Sequence, residues 1–324
     1  MDAADANIEQ WIPGFHIIPP KLVHTPNSTQ GREIPFTFEE EEIADPGNNG
    51  LHRRYLFSRQ SKKVTVMGSP RIDLFEQERY LPNGISLKLR FHRQREPFVL
   101  MHDAGTAYKI VLDDAFMLIR KVKTSPGVQL GHTEALLKEP AKFPITRKEC
   151  KAIAVSGQVS TFSMDNIFLG QLPKRVVIGM VDNAAYAGTS TTNPYNFKHM
   201  NVNYMQLYTD GEPVMSKPLK PNFTDGTYLQ CYETLFRGFD RLDGSKSSII
   251  KREDWDKGYS LFAFDLTPDY DDDDHYPIIK HGNLRLEINF GATLANAINI
   301  IVYAEFDNII EISNHRNIQM DYSG

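Results

Sequence analysis

The closing stretch of the chain, Leu284 to Ile312 (LRLEINFGATLANAINIIVYAEFDNIIEI), constrains the fold more than any other. Leu284, Leu286, Ile288 and Phe290 alternate with Arg285, Glu287 and Asn289. That period of two puts the apolar side chains on one face of a strand and the polar ones on the other. After a short turn region, Ile298, Ile300, Val302, Ala304 and Phe306 form one face of a second strand. Its other face, Asn299, Ile301, Tyr303, Glu305 and Asp307, is also partly apolar, as in a strand covered on both sides. The expectation is an antiparallel strand pair that closes the chain. Nothing in it resembles a reactive site.

Upstream, the same alternation recurs between long polar connections. Residues 1–50 are rich in Pro, Gly, Asn and Glu, and Pro19-Pro20 forbids helix there, so an irregular arm is expected. Ile85–His92 (ISLKLRFH) alternates after the Pro82-Asn83-Gly84 turn, and Tyr108–Lys123 (YKIVLDDAFMLIRKVK) supplies a longer β segment interrupted at Asp113-Asp114. A short helix is expected over Gln129–Leu137. Strands are expected at Cys150–Val155, Lys174–Asp182, Asn201–Thr209 and Tyr259–Leu266, with a hairpin turn at Asp210-Gly211. Asn183–Asn196 reads as a long loop, and Thr227–Phe236 as a short helix. Many strands, long loops and few helices indicate a β-sandwich or jelly roll.

The motifs that carry chemistry are missing. The ten histidines include no His-x-His or His-x-x-x-His pair, so a cupin-like metal oxygenase or isomerase lacks its ligands. There is no GxGxxG, GxxxxGK[ST] or GxSxG motif. Asp271–Asp274 gathers four carboxylates that could share a divalent cation, but it lacks the alternate spacing and turn glycine of a calcium loop and reads as a solvated acidic loop. No catalytic, cofactor-binding or metal residue is assigned. Cys150 and Cys231 are too few for a disulfide framework and leave their pairing open.

A net charge of −5 gives no general attraction to nucleic acid or anionic membranes. Two local blocks, 52–63 (HRRYLFSRQSKK) and 88–95 (KLRFHRQR), are basic and compatible with phosphate binding, but half-exposed strands carry such residues routinely. The N-terminus is acidic where a secretory signal is basic, and no apolar run reaches the roughly 20 residues of a transmembrane helix. An intracellular, non-secreted product is expected.

The order of blocks GLHRRYLFS, DLFEQERYLPNGISLKLRFHR, YKIVLDDAFMLIRKVK, QLPKRVVIGMVDN, NPYNFKHMNVNYMQLYTDGE, KGYSLFAFDLTPD and the closing stretch resembles one family. It is that of capsid-type proteins of Polinton (Maverick) elements and related adintoviruses, found integrated in animal genomes. The resemblance covers residues 50–322. It implies an all-β, double jelly-roll major capsid protein: two eight-stranded sandwiches side by side, three chains forming a pseudo-hexagonal homotrimeric capsomer. On it, residues 1–50 are the arm, 51–142 a partial first jelly roll with a connecting helix, and 143–324 a complete second jelly roll. Residues 64–125 would be closing strands of the first roll. Relatives carry well over 100 residues before the first block, so this chain looks N-terminally shortened, and half a barrel leaves open edges.

Three functions follow. The first is a structural capsid-type protein with no enzymatic activity and no cofactor, associating with itself and other capsid proteins, located in a virion when assembled. The second is a jelly-roll module that binds glycan or a host surface through loop 183–200, with Tyr186, Tyr195 and Phe197. The third is the cupin-like enzyme, which the missing His-x-His disfavours.

Overall fold

The two strands of the closing stretch form where the alternation places them, but in different sheets. In the computed structural model of the chain, residues 7–9, 62–68, 70–101, 108–237, 250–267 and 279–320 are described. Their elements run β1 (Asn7–Glu9), α1 (Asp73–Glu76), β2 (Ser86–Lys88), α2 (Glu96–Val99), α3 (Pro126–Lys138), β3 (Ala141–Val155), β4 (Thr161–Met164), β5 (Arg175–Asp182), α4 (Asn183–Ala187), β6 (Val202–Thr209) and β7 (Glu212–Pro213). They continue with α5 (Leu229–Arg237), α6 (Arg252–Trp255), β8 (Leu261–Asp265), β9 (Leu284–Phe290), β10 (Ile298–Ile312) and β11 (Ile318–Met320).

β10 pairs antiparallel with β3 over all 15 of its residues, from Ile298 opposite Val155 to Ile312 opposite Ala141. At the usual rise this ladder is about 50 Å long. On its other side β10 pairs first with β5 and then with β11. β9 instead lies between β4 and β6. The expected closing pair is therefore not a hairpin, and residues 291–297 carry the chain from one sheet to the other. The reason is burial. Leu284, Leu286, Ile288 and Phe290 join Ile298, Ile300, Val302, Ala304 and Phe306 in one cluster, each at most 4% exposed. Side by side in one sheet, these two apolar faces would need a third layer; facing each other, they cover one another.

The strand order identifies the topology. One sheet runs β3-β10-β5-β8 and the other β4-β9-β6-β7. The antiparallel pairs β3–β10, β4–β9, β5–β8 and β6–β7 are nested, as in one long hairpin, and the pairs β10–β5 and β9–β6 roll it closed. That is a complete eight-stranded jelly roll. Its innermost turn is the expected Asp210-Gly211, with φ of 51° and 88°, the left-handed pair that a two-residue hairpin requires. The fold is all-β, with its helices in the connections.

Ahead of β3 the expectations hold less well. Of Ile85–His92 only β2 is strand, paired in parallel with β1. Tyr108–Lys123 forms no strand, and Val111, Leu112, Phe116 and Leu118 are 61, 70, 80 and 84% exposed. An alternating pattern becomes a strand only when a ladder partner and a covering face exist, and among the described residues this segment has neither. The expected helix is present as α3, but it buries no residue. Among the described residues ahead of β3, the only strands are thus β1 and β2. What these residues do build is a second small core, in which Ile72 and Leu74 meet Phe143, Ile145, Ile310 and Ile312 at the far end of the long ladder.

The long loop expected at 183–196 begins with α4 and then returns across the sheet. Phe197 donates its N–H to Gly258 O at 2.9 Å and accepts from Ser260 N–H at 3.0 Å, so its backbone is fixed beside β8. A Cβ on Gly179 of β5 would stand 2.6 Å from Phe197 Cδ1 and 2.9 Å from Leu261 Cδ2. Glycine is required there because the ring lies against the strand. Gly179→Ala should destabilise the fold by about 1–3 kcal/mol, the usual range for overpacking. Urea unfolding of the variant against wild type measures it, and an unchanged midpoint would mean that the ring is not held.

Candidate functional site

The residues singled out in the sequence do not converge. Asp271–Asp274 lies outside the described residues, and so do residues 52–61 of the first basic block and most of the arm. Among the described residues no group of three or more His, Cys, Asp or Glu could hold a metal ion, and no helix is long and apolar enough to cross a membrane. His281 sits in an isolated β-bridge with Gln171, and His199 stacks on Phe223 with ring centroids 3.8 Å apart. Cys150 and Cys231 are both free thiols. Burial pushes the Cys231 thiol up to about 12, so it is no nucleophile at neutral pH.

The polar feature that does assemble was not legible beforehand. Glu305 and Asp307 fall on the face of β10 opposite its apolar row, yet both are buried. Arg175, at the start of β5, places Nη1 3.0 Å from Glu305 Oε2 and Nη2 3.9 Å from Asp265 Oδ2. Tyr303 donates to the other Glu305 oxygen at 2.7 Å, and burial with the adjacent carboxylate raises its phenol above the ordinary range. Lys174 Nζ lies 3.2 Å from Asp307 Oδ1, and Gln171 donates to Asp307 O at 2.8 Å. The signal in the sequence is Glu305 and Asp307 within the largely apolar β10 and Arg175 at the head of the apolar β5. Beside this cluster opens a cleft of about 360 Å³, lined in part by Lys174, Lys280, Asp265 and Asp307. Its charges balance, so it offers no net attraction to a ligand of either sign.

The cluster extends to α1. Glu76 is ion-paired with Lys148 of β3, and Lys148 N–H donates to Asp73 Oδ2 at 3.4 Å. The ammonium and Arg71 draw the Glu76 carboxyl below its usual value against the opposing effect of burial. Asp73 goes the other way: burial raises its carboxyl to about 6. These contacts tie residues 72–76 to the long ladder beside the second small core.

The surface features are of a different kind. Of the three aromatics in loop 183–200, only Tyr186 is exposed; Tyr195 packs edge-on against Phe98 at 5.9 Å, and Phe197 lies on Gly179. In the second basic block, Arg93 donates to Ile110 O at 2.7 Å and Arg95 to Ala187 O at 3.2 Å, so part of its charge caps backbone. Among the described residues, the exposed large apolar side chains concentrate in the segment from Val111 to Val122.

No family model matches the chain. An uncharacterized protein of Caenorhabditis elegans is 25% identical over 292 residues, which is 88% of this chain and 68% of that protein. Three solved structures align with the chain at low similarity. The Sputnik virophage structure aligns at a TM-score of 0.34 and 15% identity over 57% of this chain, the PBCV-1 virus capsid at 0.32 and 12% over 57%. The mavirus major capsid protein aligns at 0.32 and 9% over 56%. This chain spans 39%, 52% and 41% of those chains, less than two thirds of each. The nesting of the strands, independent of these likenesses, defines the jelly roll.

Two outcomes test the charge cluster. Arg175→Ala strands Glu305 as a buried carboxylate and should destabilise by about 3–5 kcal/mol, read from chemical unfolding. A loss below 1 kcal/mol would show that water reaches the pair. Asp73 binds its proton more tightly folded than unfolded, so its contribution is present in acid and lost as pH rises from 3.8 through about 6. Asp73→Asn should therefore raise the melting temperature at pH 7.5 by more than at pH 4.5. An equal effect at both values would contradict the assignment.

Proposed function

We propose that the chain is a structural capsid-type protein of the double jelly-roll kind, descended from a Polinton (Maverick)-like element, which acts by self-association into trimeric capsomers and catalyses no reaction. The observation that carries it is the complete nesting of β3–β10, β4–β9, β5–β8 and β6–β7, in which β5, β6, β8, β9 and β10 fall within blocks through which the sequence resembles that family. Residues 1–50 would be an arm, 51–142 a partial first roll, and 143–324 the second roll. Its place would be the virion when assembled, and otherwise the cell interior.

Two further features support an assembly role. Val111–Val122 presents seven large apolar side chains to solvent among the described residues, and association is the usual means of covering such a stretch. The polar cluster is engaged in internal ion pairs between β5, β8 and β10, as a structural role for it requires. Glycan recognition through loop 183–200 is left with one exposed ring, Tyr186, because Tyr195 and Phe197 are committed to internal packing.

Light scattering on the purified chain across a concentration series, with electron microscopy of the same samples, tests the proposal. A trimer that grows with concentration is expected. A strictly monomeric, soluble product at the highest concentration would overturn it.

A further inference from the structure

The loop 183–200 reaches β6 through a turn held by a histidine side chain. His199 O accepts from Val202 N–H at 3.0 Å, and the two residues between them, Met200 and Asn201, have φ of 47° and 51°. A turn with both central residues left-handed normally uses glycine or asparagine, so methionine at its first central position is held against its own preference. What holds it is the ring of His199, whose Nδ1 accepts from the Asn201 N–H at 3.0 Å. A backbone amide can only donate, so Nδ1 must be bare and the ring proton must sit on Nε2.

The ring cannot drift. It stacks on Phe223 at 3.8 Å and 19°, and Phe223 is stacked in turn with Tyr228 and with the fully buried Trp255. The turn also does a second task. Asn201 O accepts from Gly291 N–H at 2.7 Å, and a Cβ on Gly291 would come within 2.7 Å of Asn201 Nδ2. Here the start of β6 grips the end of β9, where the chain leaves one sheet for the other.

We propose that this turn is an acid-sensitive latch: protonation of His199 at Nδ1 removes the acceptor of the Asn201 amide and releases the left-handed turn together with the loop that leads into it. The charged and titratable groups around the ring set the direction. Asp256, after α6, favours the protonated ring, and its Oδ1 is buried without a hydrogen-bond partner among the described residues, an open acceptor for a ring that swings away. Asp225 belongs to the turn that carries Phe223, Tyr228 follows that turn and is hydrogen-bonded with Asp256, and Lys198, next to His199 in the chain, is held by Asp182 at 2.5 Å. Burial outweighs Asp256 and holds the imidazole below its ordinary value of 6.5, so the ring is neutral and the latch closed at neutral pH. Because the folded value lies below the unfolded one, the stabilisation is full above 6.5 and lost as pH falls through the lower folded value.

Hydrogen exchange of the full chain, corrected for intrinsic rates, at pH 7.5 and pH 5.0 provides the test. In wild type the protection of the Asn201, Val202 and Gly291 amides should fall by about tenfold for each pH unit below the titration of the ring. In His199→Asn, whose Oδ1 takes the place of Nδ1 as an acceptor that does not titrate, protection should stay level. Unchanged wild-type protection, or an equal fall in both proteins, would overturn the latch. Should the variant not fold, the ¹⁵N shifts of the wild-type ring decide instead. A proton on Nδ1 at pH 7.5, or an Asn201 amide indifferent to ring titration, would also overturn it.

Discussion

Everything in this structure is organised by one antiparallel ladder, β3 against β10. Its length exceeds what the jelly roll alone needs. The first half, Ile298 to Glu305, carries β5 on its other edge and faces β9 across the main core. The second half runs on to Ile312 and supplies Ile310 and Ile312, with Phe143 and Ile145 of β3, to a separate small core. One strand pair therefore serves two hydrophobic clusters, and residues ahead of β3 reach the jelly roll by packing on its extension. Pro144, which cannot donate to a ladder, is tolerated because β3 is an edge strand among the described residues.

A strand buried on both faces must manage its polar residues, and β10 does so with paired charges. Glu305 finds Arg175 and Tyr303, and Asp307 finds Lys174. Such pairs add little net stability compared with apolar packing, but removing one partner is expensive, so they fix register more than they strengthen the fold. Here they lock β5 and β10 at the end of the sheet where the main core gives way to the smaller one.

How much of this was legible in the sequence follows from what alternation records. The period-two pattern of Leu284–Phe290 and Ile298–Phe306 gave the strands and the buried faces, and Asp210-Gly211 gave the hairpin. Alternation says which face is covered but not by what, so it points to a β9–β10 pair where the fold pairs β9 with β4 and β6 and β10 with β3 and β5. Four-residue β4 and two-residue β7 are too short to show a period, although both complete the roll. Tyr108–Lys123 is the opposite case: the pattern is present, but among the described residues no strand pairs with it. The ion pairs of Arg175 joined residues 90 and 130 positions away in the chain, beyond any local signal.

The ladder's central place is open to one direct measurement, residue-resolved native-state hydrogen exchange of the whole chain. If β3–β10 is the organising element, the amides of β10 from Ile300 to Ala304 will be the slowest to exchange, opening only with global unfolding. The opposite sheet, β4-β9-β6-β7, will open earlier. Slowest exchange in β6 and β9, with β10 released ahead of them, would contradict the account.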